Sequence, residues 1–340
     1  MSVFDKIFDF NFENDTGLFN LTSGFFVGYV NKLFSTKNRA ILIVCPSIYE
    51  ARKIYNKFID TRDVIIFEND DLYFSNDSIV SPELMVDRLN ILNDLLVDSK
   101  KIVITDVSGY LKILPNVNNF NDYVIKISRD NVFSLNDLVS KLVDIGYSRE
   151  TMVSKMGEFA LRGFVLDILG FVVIVFPYFV LDIFPINNDN PIRISFFGDD
   201  VEAIKTFDLD SQRSINEIDS FTLLPNKEII SDNISSIFDY LNNPIVIYKD
   251  YEQIKFTYEK MIQDVFYYGN DKKYFLDIND VKVSDKLFYF DIDNLSLIDI
   301  KKSYDFGVSQ VPLFNENFLD INNFVNKSIL KKKTVIIFVS

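Results

Sequence analysis

The sequence predicts an α/β chain: a parallel-sheet domain that carries a smaller α+β domain. Three observations predict it. Short apolar runs alternate with helix-spaced segments through residues 1–120, the rhythm of a parallel sheet covered by helices. A polar, Asn-rich stretch, Leu114–Asp122, then breaks that rhythm. Beyond it one helix is followed by a run of short strands, the order expected of a compact α+β unit over about 123–230. At 340 residues, two or three domains are expected.

The elements follow in order. Ala40–Cys45 is a short apolar run, as in a buried parallel strand. Ser47–Asp60 has helical spacing through Ile48, Ala51, Ile54, Tyr55 and Phe58. Val64–Phe67 is the next strand. Ser81-Pro82-Glu83 is a helix start, with Ser as cap and Pro in the first turn. That helix runs to about Val97 and gathers Leu84, Leu89, Leu92 and Leu96 largely on one side. Ile102–Thr105 is a further strand. Ser134 caps a helix that runs to about Ile145 and closes at Gly146. Strands are expected at Glu158–Leu161, Ile192–Phe197, Val201–Phe207 and Phe221–Leu224. Tyr240–Gln263 holds a strand and a helix, Leu287–Leu297 is extended, Ile321–Leu330 is helical and Thr334–Val339 is a strongly apolar strand.

Composition excludes more than it assigns. The net charge is −14. Binding to nucleic-acid phosphates needs clustered Lys and Arg, so the chain is a poor DNA binder by itself. Histidine is absent, which removes the commonest neutral-pH general base and metal ligand. The single cysteine, Cys45, excludes an internal disulfide and lies in an apolar run, as a core residue does. The N-terminus carries acids where a signal peptide would carry basic residues, so a cytoplasmic location is expected. Ile168–Leu181, bounded by Asp167 and Asp182, is too short to span a bilayer as a helix. The acid pairs Asp70-Asp71, Asp199-Asp200 and Asp208 with Asp210 read as solvated turns, and Lys331-Lys332-Lys333 as a solvated helix end.

One stretch, Gly157–Ser214, stands apart. It contains Gly157-Glu158-Phe159, Arg162-Gly163, Asp182-Ile183-Phe184-Pro185, Pro191, Arg193, Phe196-Phe197-Gly198-Asp199-Asp200, Glu202, Ile204, Phe207-Asp208 and Gln212-Arg213-Ser214. Alternation along Ile192–Phe197 turns Ile192, Ile194 and Phe196 to one side and Arg193 and Phe197 to the other. The pentapeptide Phe-Val-Leu-Asp-Ile occurs twice, at Phe164–Ile168 and Phe179–Ile183. Either copy can fill the same half-buried strand. If the first pairs, Arg162 keeps its expected place. If the second pairs, the strand meets Phe184-Pro185 correctly and Arg162 is displaced. The spare apolar segment is an aggregation liability.

These ordered residues, over about 60 positions, resemble the UvrB-interaction module shared by the excision-repair protein UvrB and the transcription-repair coupling factors (Mfd). The resemblance implies a RecA-like, UvrB-like parallel-sheet domain with a degenerate P-loop and an inserted UvrA-binding domain. A Walker loop needs Gly for curvature and Lys-Ser/Thr for phosphates and Mg²⁺, yet none of the 11 glycines is followed by Lys. At the corresponding place, Leu21-Thr22-Ser23-Gly24-Phe25-Phe26-Val27-Gly28 puts two Phe in the middle. That departure favours the coupling factors over UvrB itself.

The resemblance divides the chain into 1–122 (UvrB-like domain 1a), 123–230 (UvrA-binding), 231–312 (domain 1b) and 313–340, the start of a truncated following domain. By motif position the UvrA contacts are Arg162, Arg193 and Phe197. Arg forks suit partner acids and an exposed aromatic suits a pocket. No cofactor and no catalysis are expected here. The resemblance places ATP and Mg²⁺ in a translocase part beyond this chain, together with contacts to RNA polymerase and DNA. The competing reading is a divergent UvrB-type, ATP-dependent damage-verification fragment. On the docking reading, Arg193→Glu is expected to abolish UvrA capture without changing thermal stability.

Overall fold

The computed structural model describes residues 13–58, 62–69, 81–129, 131–163, 178–231, 233–267, 275–291, 300–307 and 317–331. The first copy of the repeated pentapeptide, Asp70-Asp71, Lys332-Lys333 and the Thr334–Val339 run lie outside these residues.

In chain order the strands are β1 (Thr16–Phe19), β2 (Ile41–Cys45), β3 (Val64–Phe67), β4 (Ile102–Asp106), β5 (Ile125–Ser128), β6 (Ser148–Arg149), β7 (Glu158–Gly163), β8 (Tyr178–Ile183), β9 (Ile192–Phe197), β10 (Asp200–Phe207), β11 (Ser214–Ile218), β12 (Ser220–Leu223), β13 (Ile245–Lys249), β14 (Lys286–Tyr289) and β15 (Lys302–Asp305). The helices are α1 (Ser23–Lys37), α2 (Ile48–Tyr55), α3 (Pro82–Val97), α4 (Val107–Leu111), α5 (Leu135–Asp144), α6 (Ile237–Tyr240), α7 (Tyr251–Tyr267) and α8 (Phe318–Leu330).

Among the described residues one sheet has seven parallel strands, ordered β15-β1-β14-β13-β2-β4-β3. Its central strand β2 is apolar and buried throughout because both faces are covered. Leu42, Val44, Val103 and Val246 point into a layer shared with α3, α4, α6 and α7. Ile41, Ile43, Cys45, Ile104 and Ile247 point into the opposite layer, with α1 and α2. Cys45 is fully buried, and burial pushes its thiol far above the ordinary range. Ser81 caps α3 as the sequence predicts, and Ser47 caps α2. No described helix is long and apolar enough to cross a membrane.

The second sheet is mixed and six-stranded, ordered β11-β10-β9-β8-β7-β6, beside a two-stranded β5–β12 pair. Leu135, Leu138 and Leu142 of α5 cover one face, against Phe159, Leu181, Ile183, Ile192, Ile194 and Phe196. The repeated pentapeptide is resolved in favour of its second copy. Phe179–Ile183 pairs antiparallel with β7 on one side and β9 on the other. Arg162 is nevertheless not displaced. It stays in β7 opposite Val180, with Gly163 opposite Phe179.

Several short elements escape the sequence reading: β1, β5, β6, β11 and β15. The two sheets are joined by more than chain connectivity. Ile186, which follows β8, and Leu224, which follows β12, are buried in the first sheet's apolar layer. Arg88, on the buried side of α3, donates from Nε to Glu228 at 2.7 Å, and Lys112 reaches the other Glu228 oxygen at 3.2 Å. All three side chains are buried or nearly so. Removing one member of a buried ion cluster leaves uncompensated charge, at a cost of about 3–5 kcal/mol. Glu228→Gln should therefore lower unfolding stability by about 3 kcal/mol in urea titrations; an unchanged midpoint would show that the cluster contributes nothing to the junction.

Candidate protein-docking face

The face of the second sheet that turns away from α5 is built by alternation. In β9 the inward Ile192, Ile194 and Phe196 are fully buried, whereas Arg193 and Ser195 are partly exposed and Phe197 is 47% exposed. The parity expectation holds: of the two adjacent phenylalanines, Phe196 is core and Phe197 is outside. Phe197 closes β9 at a two-residue turn, Gly198-Asp199, with Gly198 at φ +61°. Tight hairpins need that positive φ at their first central position. The turn is anchored, since the Asp199 carbonyl accepts from the Phe133 amide at 2.9 Å. Tyr178 of β8 lies directly opposite Phe197. Its hydroxyl pKa is raised by the hydrogen bond with Glu202, which sits where β10 slips its register against β9.

Arg193 lies opposite Asp182 in the β8–β9 pair, and Ala160 flanks Asp182 from β7. The guanidinium holds the carboxylate with two bonds, Nε to Oδ1 at 2.7 Å and Nη2 to Oδ2 at 3.0 Å. Its Nη1 donates to the Gln212 carbonyl at 3.0 Å, and its plane lies 4.4 Å from the centre of the buried Phe207 ring. Gln212, at φ +58°, closes a turn in which its own amide donates to the Asp208 carbonyl. So Asp182, Arg193, Phe207, Asp208 and Gln212, dispersed through the motif, form one cluster. Its centre is sealed: the Asp182 side chain is 1% exposed and that of Arg193 is 19% exposed.

Arg162 approaches the same carboxylate from β7 along the diagonal and forms an ion pair with Asp182 Oδ2. Its side chain is 44% exposed. At the other end of β7, Glu158 supports the start of the strand. Its Oε2 accepts from the Ser154 amide and hydroxyl, each at 2.9 Å, and from the Lys155 amide at 3.2 Å. Burial acts to raise the Glu158 pKa, but these donors outweigh it and the net shift is downward. Gly157, at φ +83°, packs so close to Asn226 that a Cβ would stand 2.4 Å from its amide nitrogen. Phe184, Val153 and Ala160 form a small apolar cover at this corner.

The three sequence-predicted contact residues thus share one face but differ in availability. Arg162 and Phe197 are open. Arg193 is engaged on every side by its own domain. Asp182, noted in the sequence only as part of a motif, is the residue that ties the two arginines together. Its signal was legible: an acid at an outward position of an otherwise apolar strand calls for a cation on its neighbour.

Comparison with known proteins agrees with this architecture. The family model of the UvrB interaction domain matches residues 125–173 and 179–229. The transcription-repair-coupling factor of Bacillus subtilis (strain 168) is 30% identical over 205 residues, covering 59% of this chain and 16% of that protein. That of Staphylococcus aureus (strain bovine RF122 / ET3-1) is 27% identical over 271 residues, covering 78% of this chain and 20% of that protein. The chain therefore spans about a sixth to a fifth of the length of these curated relatives.

The geometry corrects one expectation. Arg193→Glu does not leave stability untouched, because it sets a second carboxylate against buried Asp182 and empties the stack on Phe207. Hydrogen bonds to charged groups contribute about 1.5–3 kcal/mol each. Arg193→Glu should lower the melting temperature by several degrees in calorimetry, and an unchanged melt would contradict the structural role given to Arg193.

Proposed function

We propose, for a chain that carries a UvrB interaction domain and is similar to transcription-repair-coupling factors, that it is the UvrA-docking part of such a factor in nucleotide excision repair. The observation that carries the proposal is the outer sheet face: an exposed aromatic, Phe197, and an exposed guanidinium, Arg162, held on a rigid three-strand platform. A preorganised aromatic and an arginine are the side chains that most often dominate protein–protein affinity. The platform is fixed by backbone pairing on both sides, so little order has to be gained on association.

On this reading the chain recruits a partner and performs no bond chemistry of its own. ATP hydrolysis, with its Mg²⁺, and contacts with RNA polymerase and DNA belong to parts of the full-length factor outside this chain. The segment that resembles a Walker loop supports this division. Phe26, near the start of α1, stacks on Tyr289 with ring centres 3.9 Å apart, and the Tyr289 hydroxyl lies 3.4 Å from the carbonyl of Leu21, between β1 and α1. Aromatic side chains thus pack against the start of α1, where a phosphate-binding loop needs open backbone amides.

The test is capture of UvrA by the purified chain. Phe197→Ala and Arg162→Ala should each weaken binding at least tenfold, about 1.4 kcal/mol or more, while still melting cooperatively. Retention of wild-type affinity in both would refute the docking face.

A further inference from the structure

We propose that Asp182 is the positioning residue of this face: its one buried carboxylate makes Arg193 a structural strut and presents Arg162 as the contact group. This rests on the UvrA-docking reading above. The two arginines share an acid but not a situation. Arg193 spends Nε and Nη2 on Asp182, Nη1 on the Gln212 carbonyl and its plane on Phe207. Arg162 touches only the outer oxygen, Oδ2, of that carboxylate and keeps a 44% exposed side chain.

The local charge count follows from the geometry. Two guanidinium groups converge on a single carboxylate, which leaves one positive charge in excess on a chain whose net charge is −14. That excess is complementary to a carboxylate on the partner, and it is displayed at Arg162 because Arg193 is enclosed. An arginine side chain carries considerable rotamer freedom, and holding it in place before docking removes that cost from binding. Asp182 supplies the hold. It sits two positions along β8 from Val180, the residue opposite Arg162, so the contact runs along the short diagonal of an antiparallel pair. The rest of the motif keeps the carboxylate in place: Phe207 and the Gln212 turn confine Arg193, and Arg193 confines Asp182.

A double-mutant cycle on the chain tests this, with affinity for UvrA measured by calorimetric titration and folding by thermal melting. Asp182→Asn keeps the side-chain shape and removes the charge. It should weaken binding about tenfold when Arg162 is present and have no further effect in an Arg162→Ala background. Equal losses in both backgrounds would assign Asp182 a purely structural role and overturn the inference. So would wild-type or tighter binding by Asp182→Asn, which would mean that the carboxylate competes with the partner. Asp182→Glu, which keeps the charge but moves the carboxylate, is read in the same cycle if Asp182→Asn does not melt cooperatively. Phe197→Ala separates the two levels. If Phe197→Ala and Arg162→Ala both bind as wild type, the docking face itself is wrong. If both weaken binding and the cycle shows no coupling, only the role of Asp182 is wrong.

Discussion

The pairing of Arg193 with Asp182 is the constraint on which the second sheet depends. The two charges lie on adjacent strands, directly opposite, and are almost withdrawn from water. A buried carboxylate is tolerated only when its lone pairs are met. Here Arg193 meets both oxygens and Arg162 meets one of them again. Phe207 and the turn at Gln212 then exist to hold Arg193, which explains why residues as far apart as Asp182 and Gln212 belong to one pattern. The pattern is mostly a recipe for a platform, and what the platform offers outward is small: one aromatic and one guanidinium.

That division clarifies how a sheet face can act as a docking surface without exposing a large apolar patch. Its apolar residues are committed to the layer under α5. The outward positions carry Arg162, Tyr178, Val180, Ser195 and Phe197, a mixed set that is compatible with water when unbound. The same sheet is seated on the parallel-sheet domain through Ile186, Leu224 and the Arg88–Glu228–Lys112 cluster.

Much of this was legible in the sequence, for identifiable reasons. Short apolar runs declare themselves, so β2, β3 and β4 could be read directly, whereas β13 was legible only as a strand within Tyr240–Gln263. Caps at Ser81 and Ser134 marked helix starts. Strict alternation separated Phe196 from Phe197. What could not be read depends on long-range pairing. β1, β6 and β15 are short strands defined by the neighbours they pair with. Nothing in the sequence around Arg88 marks it as buried, because its counter-ion, Glu228, lies 140 positions away. The ambiguity of the repeated pentapeptide was genuine, because two identical pentapeptides satisfy the same alternation. Only the hairpin geometry shows that the second can pair without moving Arg162. The enclosure of Arg193 was hidden for a related reason: strand parity says which way a side chain points, not whether a distant turn will fold over it.

The most direct test is hydroxyl-radical footprinting of the chain with and without UvrA. Phe197 and Tyr178 should lose reactivity on binding, while Phe256 and Phe266 on α7, exposed elsewhere on the molecule, should react as before. Protection of the α7 aromatics with Phe197 and Tyr178 unchanged would place the partner on a different surface and contradict the docking face described above.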